Sequence, residues 1–207
     1  MKLFYSKGAC SLAVRIVINE MGLKCDYEAV NLKTKKTEHD ADYLKINPKG
    51  AVPALEIKAN EVLTENAIIQ QYLVDTHEAT HLLPKMGDFN RYRTLEVLNY
   101  ITTEVHKGFG PLFNSNIPAE VKQDIFIPML NAKFAYLNKL LADKKYIMGH
   151  DFTLPDAYLF VMLFWAEGMK IDISANAGLV KYYGMLKQQK SIVKSMQEEG
   201  LLERIAG

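Results

Sequence analysis

Residues 47–68, NPKGAVPALEIKANEVLTENAI, decide how the first part of the chain folds. Asn47-Pro48-Lys49-Gly50 is a turn signal: proline presets φ and glycine accepts backbone angles that other residues resist. Val52-Pro53-Ala54-Leu55-Glu56-Ile57 reads as a strand opened by proline, which lacks an N–H for a ladder and is tolerated at a strand start or edge. Ala59-Asn60-Glu61 reads as a hairpin tip, and Val62-Leu63 opens the return strand. Over Thr64–Thr76, Ala67, Ile68, Tyr72 and Leu73 line one side of a helix, with Thr64 as its N-cap and Glu65 at its positive end.

Working outward, KLFY at 2–5 is a short apolar run readable as a buried strand, broken by Lys7-Gly8. Leu12, Ile16, Val17 and Met21 carry helical spacing over 11–21, and Gly22 supplies a stop. DYEAVN at 26–31 alternates as a second strand. The lysine-rich segment 33–47 holds a short helical piece near 41–46. HEATHLLPKMG at 77–87 reads as a connection, and everything beyond has helical period: 89–109, 119–143 with Pro128 predicting a kink, 154–167, and 178–196, followed by a tail at 200–207. The segment 154–167 is apolar on all sides, which predicts a central buried helix. The expected class is α+β: a β-α-β-α-β-β-α domain over 1–80, a linker over 81–87 and an all-α domain over 88–207.

Composition excludes several functions. The 25 basic and 24 acidic side chains leave a formal charge of +1, which creates no field to draw in nucleic acid or an anionic membrane. The basic blocks 33–36 and 187–190 are short and read as solvated faces. No signal peptide opens the chain, and no run approaches the roughly 18 apolar residues of a membrane span, so the cytosol is the expected location. Two cysteines, Cys10 and Cys25, make neither a disulfide framework nor a CxxC pair, and the five histidines form no ligand set with them, so no metal is expected.

Five places can carry chemistry. Cys10 falls where a strand ends and a helix begins, and the positive end of a helix favours a thiolate, its own or a ligand's. Ser11 adds a hydroxyl donor at the same place. The alternative for such a cysteine is a small buried apolar residue. Val52-Pro53 suits a bend that turns backbone toward a ligand, which can pair with it as an added strand; an ordinary trans proline at a strand edge is the alternative. The helix start at Thr64-Glu65-Asn66 suits a carboxylate, and Glu65 an ammonium, together matching the zwitterionic end of an amino acid, unless the segment only caps its helix. In Glu104-Val105-His106-Lys107, successive helix residues point different ways; His106 or Lys107 can stabilise an anion. Thr153-Leu154-Pro155-Asp156 resembles a capping box and reads as structural.

Together the segments KLFYSKGACSLAVRIV, TKKTEHDADYLKINPKGAVPAL, LTENAIIQQYL, LNYITTEVHKGFGPLF and FTLPDAYLF resemble the cytosolic glutathione transferases over essentially the whole chain. Gly8-Ala9-Cys10-Ser11 and Glu104-Val105-His106-Lys107 look like the bacterial beta class, which places a cysteine where other classes have a hydroxyl. The resemblance implies a thioredoxin-like first domain, a helical second domain, a homodimer and glutathione as co-substrate. It implies that Lys35 meets the glycyl carboxylate, that the Val52 backbone pairs with the cysteinyl unit before cis-Pro53, and that Glu65 and Asn66 hold the γ-glutamyl end. It also implies that Cys10 faces the sulfur, and that Asn99, Thr103, Glu104 and His106 reach glutathione near the dimer interface. Asn66 departs from the Gly or Ser usual there, and Ala51 from a usual polar residue.

The reaction expected from this resemblance is detoxifying conjugation: the glutathione thiolate attacks an apolar electrophile, with Cys10, Ser11 and His106 as catalytic groups and Phe109, Phe113, Trp165 and Tyr5 as candidate pocket walls. A second chemistry at the same place is thiol–disulfide exchange through Cys10. A third reading is a glutathione-binding interaction protein without turnover.

Overall fold

Alternation along KLFY sets the layering of the first sheet. β1 (Lys2–Tyr5) sends Leu3 to one face, where it packs with Val14, Ile18, Leu55, Ile69 and Leu73, and Phe4 to the other, with Val30, Tyr43, Val52 and Ala54. The computed structural model describes residues 1–204; the last three residues of the expected tail lie outside them. Its five-stranded sheet has the order β3-β2-β1-β4-β5, with β2 (Asp26–Asn31), β3 (Lys36–Thr37), β4 (Ala54–Lys58) and β5 (Glu61–Thr64). β1 and β2 are parallel, joined by the crossover helix α1 (Ser11–Glu20); the other neighbours are antiparallel. α2 (Asn66–Thr76) follows β5.

Three local expectations change here. The lysine-rich segment contributes the two-residue strand β3, which pairs with Val30 and Asn31. Its helical piece is a single 3-10 turn at Tyr43–Lys45, capped by Asp42, whose carboxylate accepts from the Leu44 N–H at 3.0 Å. Thr64 ends β5 instead of capping α2; the cap position falls to Glu65, with φ 72° and ψ 120° and no side-chain capping bond.

Two compact units separate: Met1–Thr80 with the chain from Lys187 onward, and His81–Leu186. The expected helical domain of 88–207 therefore does not keep its last segment. The reason lies in the expected helix 178–196, which is two helices. α8 (Ala177–Leu186) buries Leu179, Tyr182, Tyr183 and Leu186, whereas α9 (Lys190–Glu198) buries Ile192, Ser195 and Met196 and packs along α1. Two different surfaces are served, and the chain breaks over the polar residues 187–189.

In the second unit α3 (Phe89–Tyr100) is capped by Asp88, which accepts from the Asn90 N–H at 2.8 Å, and runs on into a π-type stretch, Ile101–His106. α4 (Gly110–Phe113) follows, then α5 (Ala119–Val121), a second π-type stretch Lys122–Phe126, and α6 (Ile127–Leu141). The widened turn stands directly before Pro128, where the missing N–H and the ring would otherwise disrupt a regular ladder. α7 (Leu154–Gly168) is the expected buried helix. Its Asp156 accepts from the Thr153 N–H (2.8 Å) and hydroxyl (2.6 Å), the Ile147 N–H (2.8 Å) and the Tyr182 hydroxyl (2.6 Å). Burial pushes this carboxyl's pKa up, and the four donors pull against that.

α9 is fastened to α1 by charge. The Arg15 guanidinium, buried among apolar neighbours on α1, meets Glu199 at 3.1 Å and Glu198 at 3.2 Å and lies over the rings of Tyr5 and Tyr27. Glu199 is itself buried and also accepts from the Gly8 N–H at 2.8 Å. Removing Glu199 leaves the buried guanidinium with the more exposed Glu198 as its carboxylate partner and takes away the buried half of the pair. Glu199→Ala is expected to destabilise the fold by roughly 3–5 kcal/mol, read as a lower urea midpoint at unchanged slope.

Candidate active site

The loop Ser6–Cys10 is built to deliver a thiol to the start of α1. Gly8 has φ 69°, a left-handed angle that suits glycine, and the Ala9 N–H returns to the Ser6 carbonyl at 2.9 Å. Cys10 then takes helical angles at the N-cap. Ser11 turns its hydroxyl back to Ser6. It is 0% exposed, its hydroxyl accepts from the Ser6 N–H at 3.2 Å and donates to the Ser6 carbonyl at 3.4 Å, and its place is in shaping the turn.

The loop before β4 lies against this thiol. The Val52–Pro53 peptide is cis. Three successive carbonyls of the loop are each held by a side chain from elsewhere. Gly50 O accepts from Lys35 Nζ at 2.7 Å, Ala51 O from the Tyr43 hydroxyl at 2.8 Å and Asn47 Nδ2 at 2.7 Å, and Val52 O from Cys10 Sγ at 3.2 Å. Burial pushes the Tyr43 phenol up to about 12, so it remains a donor. Among the described residues no hydrogen bond engages the Val52 N–H, which leaves one backbone donor beside the Cys10 sulfur.

The start of α2 closes the arrangement. Asn66 does not turn its side chain outward; Nδ2 donates to the Cys10 carbonyl at 2.6 Å and Oδ1 accepts from Gln70 Nε2, all three groups being buried. Glu65 holds a positive φ at a non-glycine position, a conformation that costs on the order of 1–3 kcal/mol and concentrates at functional sites. Its carboxylate is ion-paired with Lys49, whose ammonium also donates to the Thr64 hydroxyl at 2.7 Å. An ammonium thus already occupies the position expected for that of an amino acid.

In the second unit the residues expected to reach a ligand lie on or beside the π-type stretch. Asn99, Thr103 and Glu104 are exposed; the Thr103 hydroxyl donates to the Asn99 carbonyl at 3.0 Å and Glu104 is paired with Lys133. His106 is half-buried, its Nδ1 2.6 Å from the Tyr158 hydroxyl and its ring edgewise to Trp165. Trp165 packs edgewise against Phe109 and Phe113 as well; Phe109 is buried and Phe113 exposed. Of the candidate wall, Phe109 therefore supports the aromatic cluster from beneath, and Tyr5, in the first unit, lies under Arg15. No helix among the described residues is long and apolar enough to cross a membrane.

The carbonyl clamps from Tyr43 and Asn47, the inward turn of Asn66 and the pairing of Lys49 escaped sequence reasoning. Only Asn47 carried a signal, as a turn residue.

A mixed sheet wrapped by α1 and α2, a cysteine at a helix start facing a cis-proline loop, and a separate all-helical unit together define a thioredoxin-like thiol-handling architecture. The family model "Glutathione S-transferase, N-terminal domain" matches residues 1–75, and "Glutathione S-transferase, C-terminal domain" matches residues 100–186. Glutathione S-transferase GstA of Escherichia coli O157:H7 is 40% identical over 201 residues, covering 97% of this chain and 100% of that protein. Among solved structures, the bacterial beta-class glutathione S-transferase of Sphingomonas chungbukensis has 40% identity and a TM-score of 0.91, over 97% of this chain and 100% of that one. A sphingomonad glutathione S-transferase complexed with glutathione has 39% identity and a TM-score of 0.91 over the same shares. The chain belongs to the glutathione S-transferase family, with the bacterial beta class as its place within it.

Two outcomes follow from this geometry. Asn66→Ala removes the side-chain donor to the Cys10 carbonyl, which keeps the Ala13 N–H at 3.0 Å, and takes the acceptor from the buried Gln70 amide; it is expected to cost about 1–3 kcal/mol in urea unfolding. Burial pushes the Cys25 thiol up to about 11. In a Cys10→Ser background the remaining thiol is therefore expected to react slowly with a disulfide reagent at neutral pH, and faster as rising pH populates its thiolate.

Proposed function

We propose that the chain conjugates reduced glutathione to apolar electrophiles, working as a homodimer in the cytoplasm. The observation that carries this reading is the meeting of the Cys10 sulfur with the Val52 carbonyl beside a cis-proline and an unengaged Val52 N–H. A tripeptide laid along this loop as an added strand presents its cysteinyl sulfur to the positive end of α1. Lys35, anchored on Gly50 O, supplies the charge for the glycyl carboxylate. Glu65 exchanges Lys49 for the α-ammonium of the γ-glutamyl unit, while Asn66 contributes its main chain, since its side chain belongs to Cys10. Asn99, Thr103, Glu104 and His106 are assigned to glutathione with them.

The glutathione S–H loses its proton to solvent as the helix end and nearby donors favour the thiolate; the sulfur forms a bond to the electrophilic carbon, and the leaving group departs with the electron pair of the broken bond. Cys10, donating to Val52 O here, orients the loop and is dispensable for that step. A second chemistry is open to the same sulfur: Cys10 attacks a glutathione disulfide, forms a mixed disulfide and expels one glutathione thiolate, and a further glutathione resolves it.

Cys10→Ala separates the two. Its conjugation of an aryl halide is expected to fall by less than about tenfold, while disulfide reductase activity disappears. Retention on immobilised glutathione with no turnover of any electrophile would instead make the chain an interaction protein.

A further inference from the structure

The Ala51–Val52 peptide is gripped by its oxygen alone. That oxygen accepts two hydrogen bonds, from the Tyr43 hydroxyl at 2.8 Å and from Asn47 Nδ2 at 2.7 Å, while no hydrogen bond among the described residues engages the N–H of the same peptide. Both donors are themselves held. Tyr43 is fully buried, packs with Phe4, Val30, Val52 and Ala54, and has its ring 5.7 Å from that of Phe4. Burial keeps the phenol protonated, so it donates. Asn47 is buried too, and its Oδ1 accepts from the Lys49 N–H at 3.1 Å, which leaves Nδ2 to face Ala51. A peptide unit is a rigid plane, and this one is trans, so its C=O and N–H point in opposite directions. Donors that fix the oxygen from two sides therefore fix the line of the N–H. They also draw electron density toward the oxygen, which makes the N–H a stronger donor.

We infer that Tyr43 and Asn47 are positioning residues for glutathione: by holding the Ala51 oxygen they aim the Val52 N–H at an acceptor on the cysteinyl unit. The inference rests on the pairing of the Val52 backbone with that unit proposed above, and it deepens that reading by naming the groups that set the direction of the donor. Neither side chain is itself assigned to the ligand. The acceptor lies on the peptide backbone of glutathione and not on the reacting sulfur, so the bond is made alike in the ground state and the transition state. Its weakening then appears in KM for glutathione and not in kcat.

The test combines NMR with kinetics on the full-length enzyme. Labelling alanine with carbon-13 at the carbonyl and valine with nitrogen-15 selects the three Ala–Val peptides of the chain, Ala51–Val52 among them. Added glutathione is expected to move the Val52 amide resonance of the native enzyme. Tyr43→Phe keeps the buried ring and is expected to retain its circular dichroism. In the ligand-free variant the Ala51 carbonyl carbon and the Val52 amide should both move. KM for glutathione should rise about threefold, the loss of one of two hydrogen bonds to a shared acceptor, with kcat for conjugation within about twofold. Asn47→Ala removes the other donor and should show the same split between KM and kcat. A native KM in both variants overturns the inference, as does a fall in kcat at native KM, or an Ala51–Val52 peptide whose resonances stay in place in the ligand-free variants. A Val52 amide that does not move when the native enzyme takes up glutathione overturns the pairing of Val52 itself, so the two failures are distinguishable.

Discussion

The position of the Cys10 thiol is set by three parts of the chain far apart in sequence. Its carbonyl is held by Asn66 at the start of α2, its sulfur donates to Val52 in the cis-proline loop, and the turn before it is gripped through Gly8 by Glu199 beyond α9. None of these contacts is local, so the sulfur's place depends on the completed first unit and not on the turn alone. The direction of the sulfur contact also matters. A thiol donating to a carbonyl oxygen loses that bond on ionising and leaves its charge facing the oxygen's partial negative charge. The positive end of α1 pulls the other way.

The helical unit solves a different problem. α7 is buried nearly all round, so its polar groups need internal partners. Asp156 finds four donors, and through them the segment carrying Ile147 and the start of α7 are tied to α8 by Tyr182. Tyr158, two residues on, faces His106. A regular helix from Phe89 to Phe109 would advance 100° per residue throughout; the π-type stretch Ile101–His106 changes that phase over the run that carries Thr103, Glu104 and His106. Val105 is fully buried while Glu104 and Lys107 are exposed, which leaves His106 as the member of that run lying within the aromatic cluster.

How much was legible in the sequence depends on the range of the interaction that decides each feature. Strand alternation in KLFY, the proline-opened strand at Val52, the buried helix after Thr153 and the break near residue 80 all rest on patterns a few residues long. The family resemblance supplied the cis peptide and the class. What escaped was decided over longer distances. α8 and α9 read as one helix because no glycine or proline separates them; only the two surfaces they serve reveal the break. Arg15 carried a signal that went unused, a permanent charge in the apolar run LAVRIVI, which demands a buried partner, but nothing local names Glu199. Ser11 read as a donor by proximity to Cys10, yet a helix start turns neighbouring side chains in different directions, and this one points back to Ser6.

Asn66 and Lys49 show how one departure from a family pattern is absorbed. A side chain larger than Gly or Ser at position 66 would crowd a ligand if it pointed outward. Turned inward, it completes the Cys10 carbonyl and engages Gln70, one helical turn on, and its main-chain N–H remains at the positive helix end. Glu65 is then the nearest side chain turned outward at this helix start, held at a positive φ that directs its carboxylate toward Lys49. Both partners of that pair are exposed, so water and salt screen it and little energy opposes exchange of one ammonium for another. On this reading the strained backbone at Glu65 holds the carboxylate in place before the ligand arrives, and the weak partner keeps the position open to replacement.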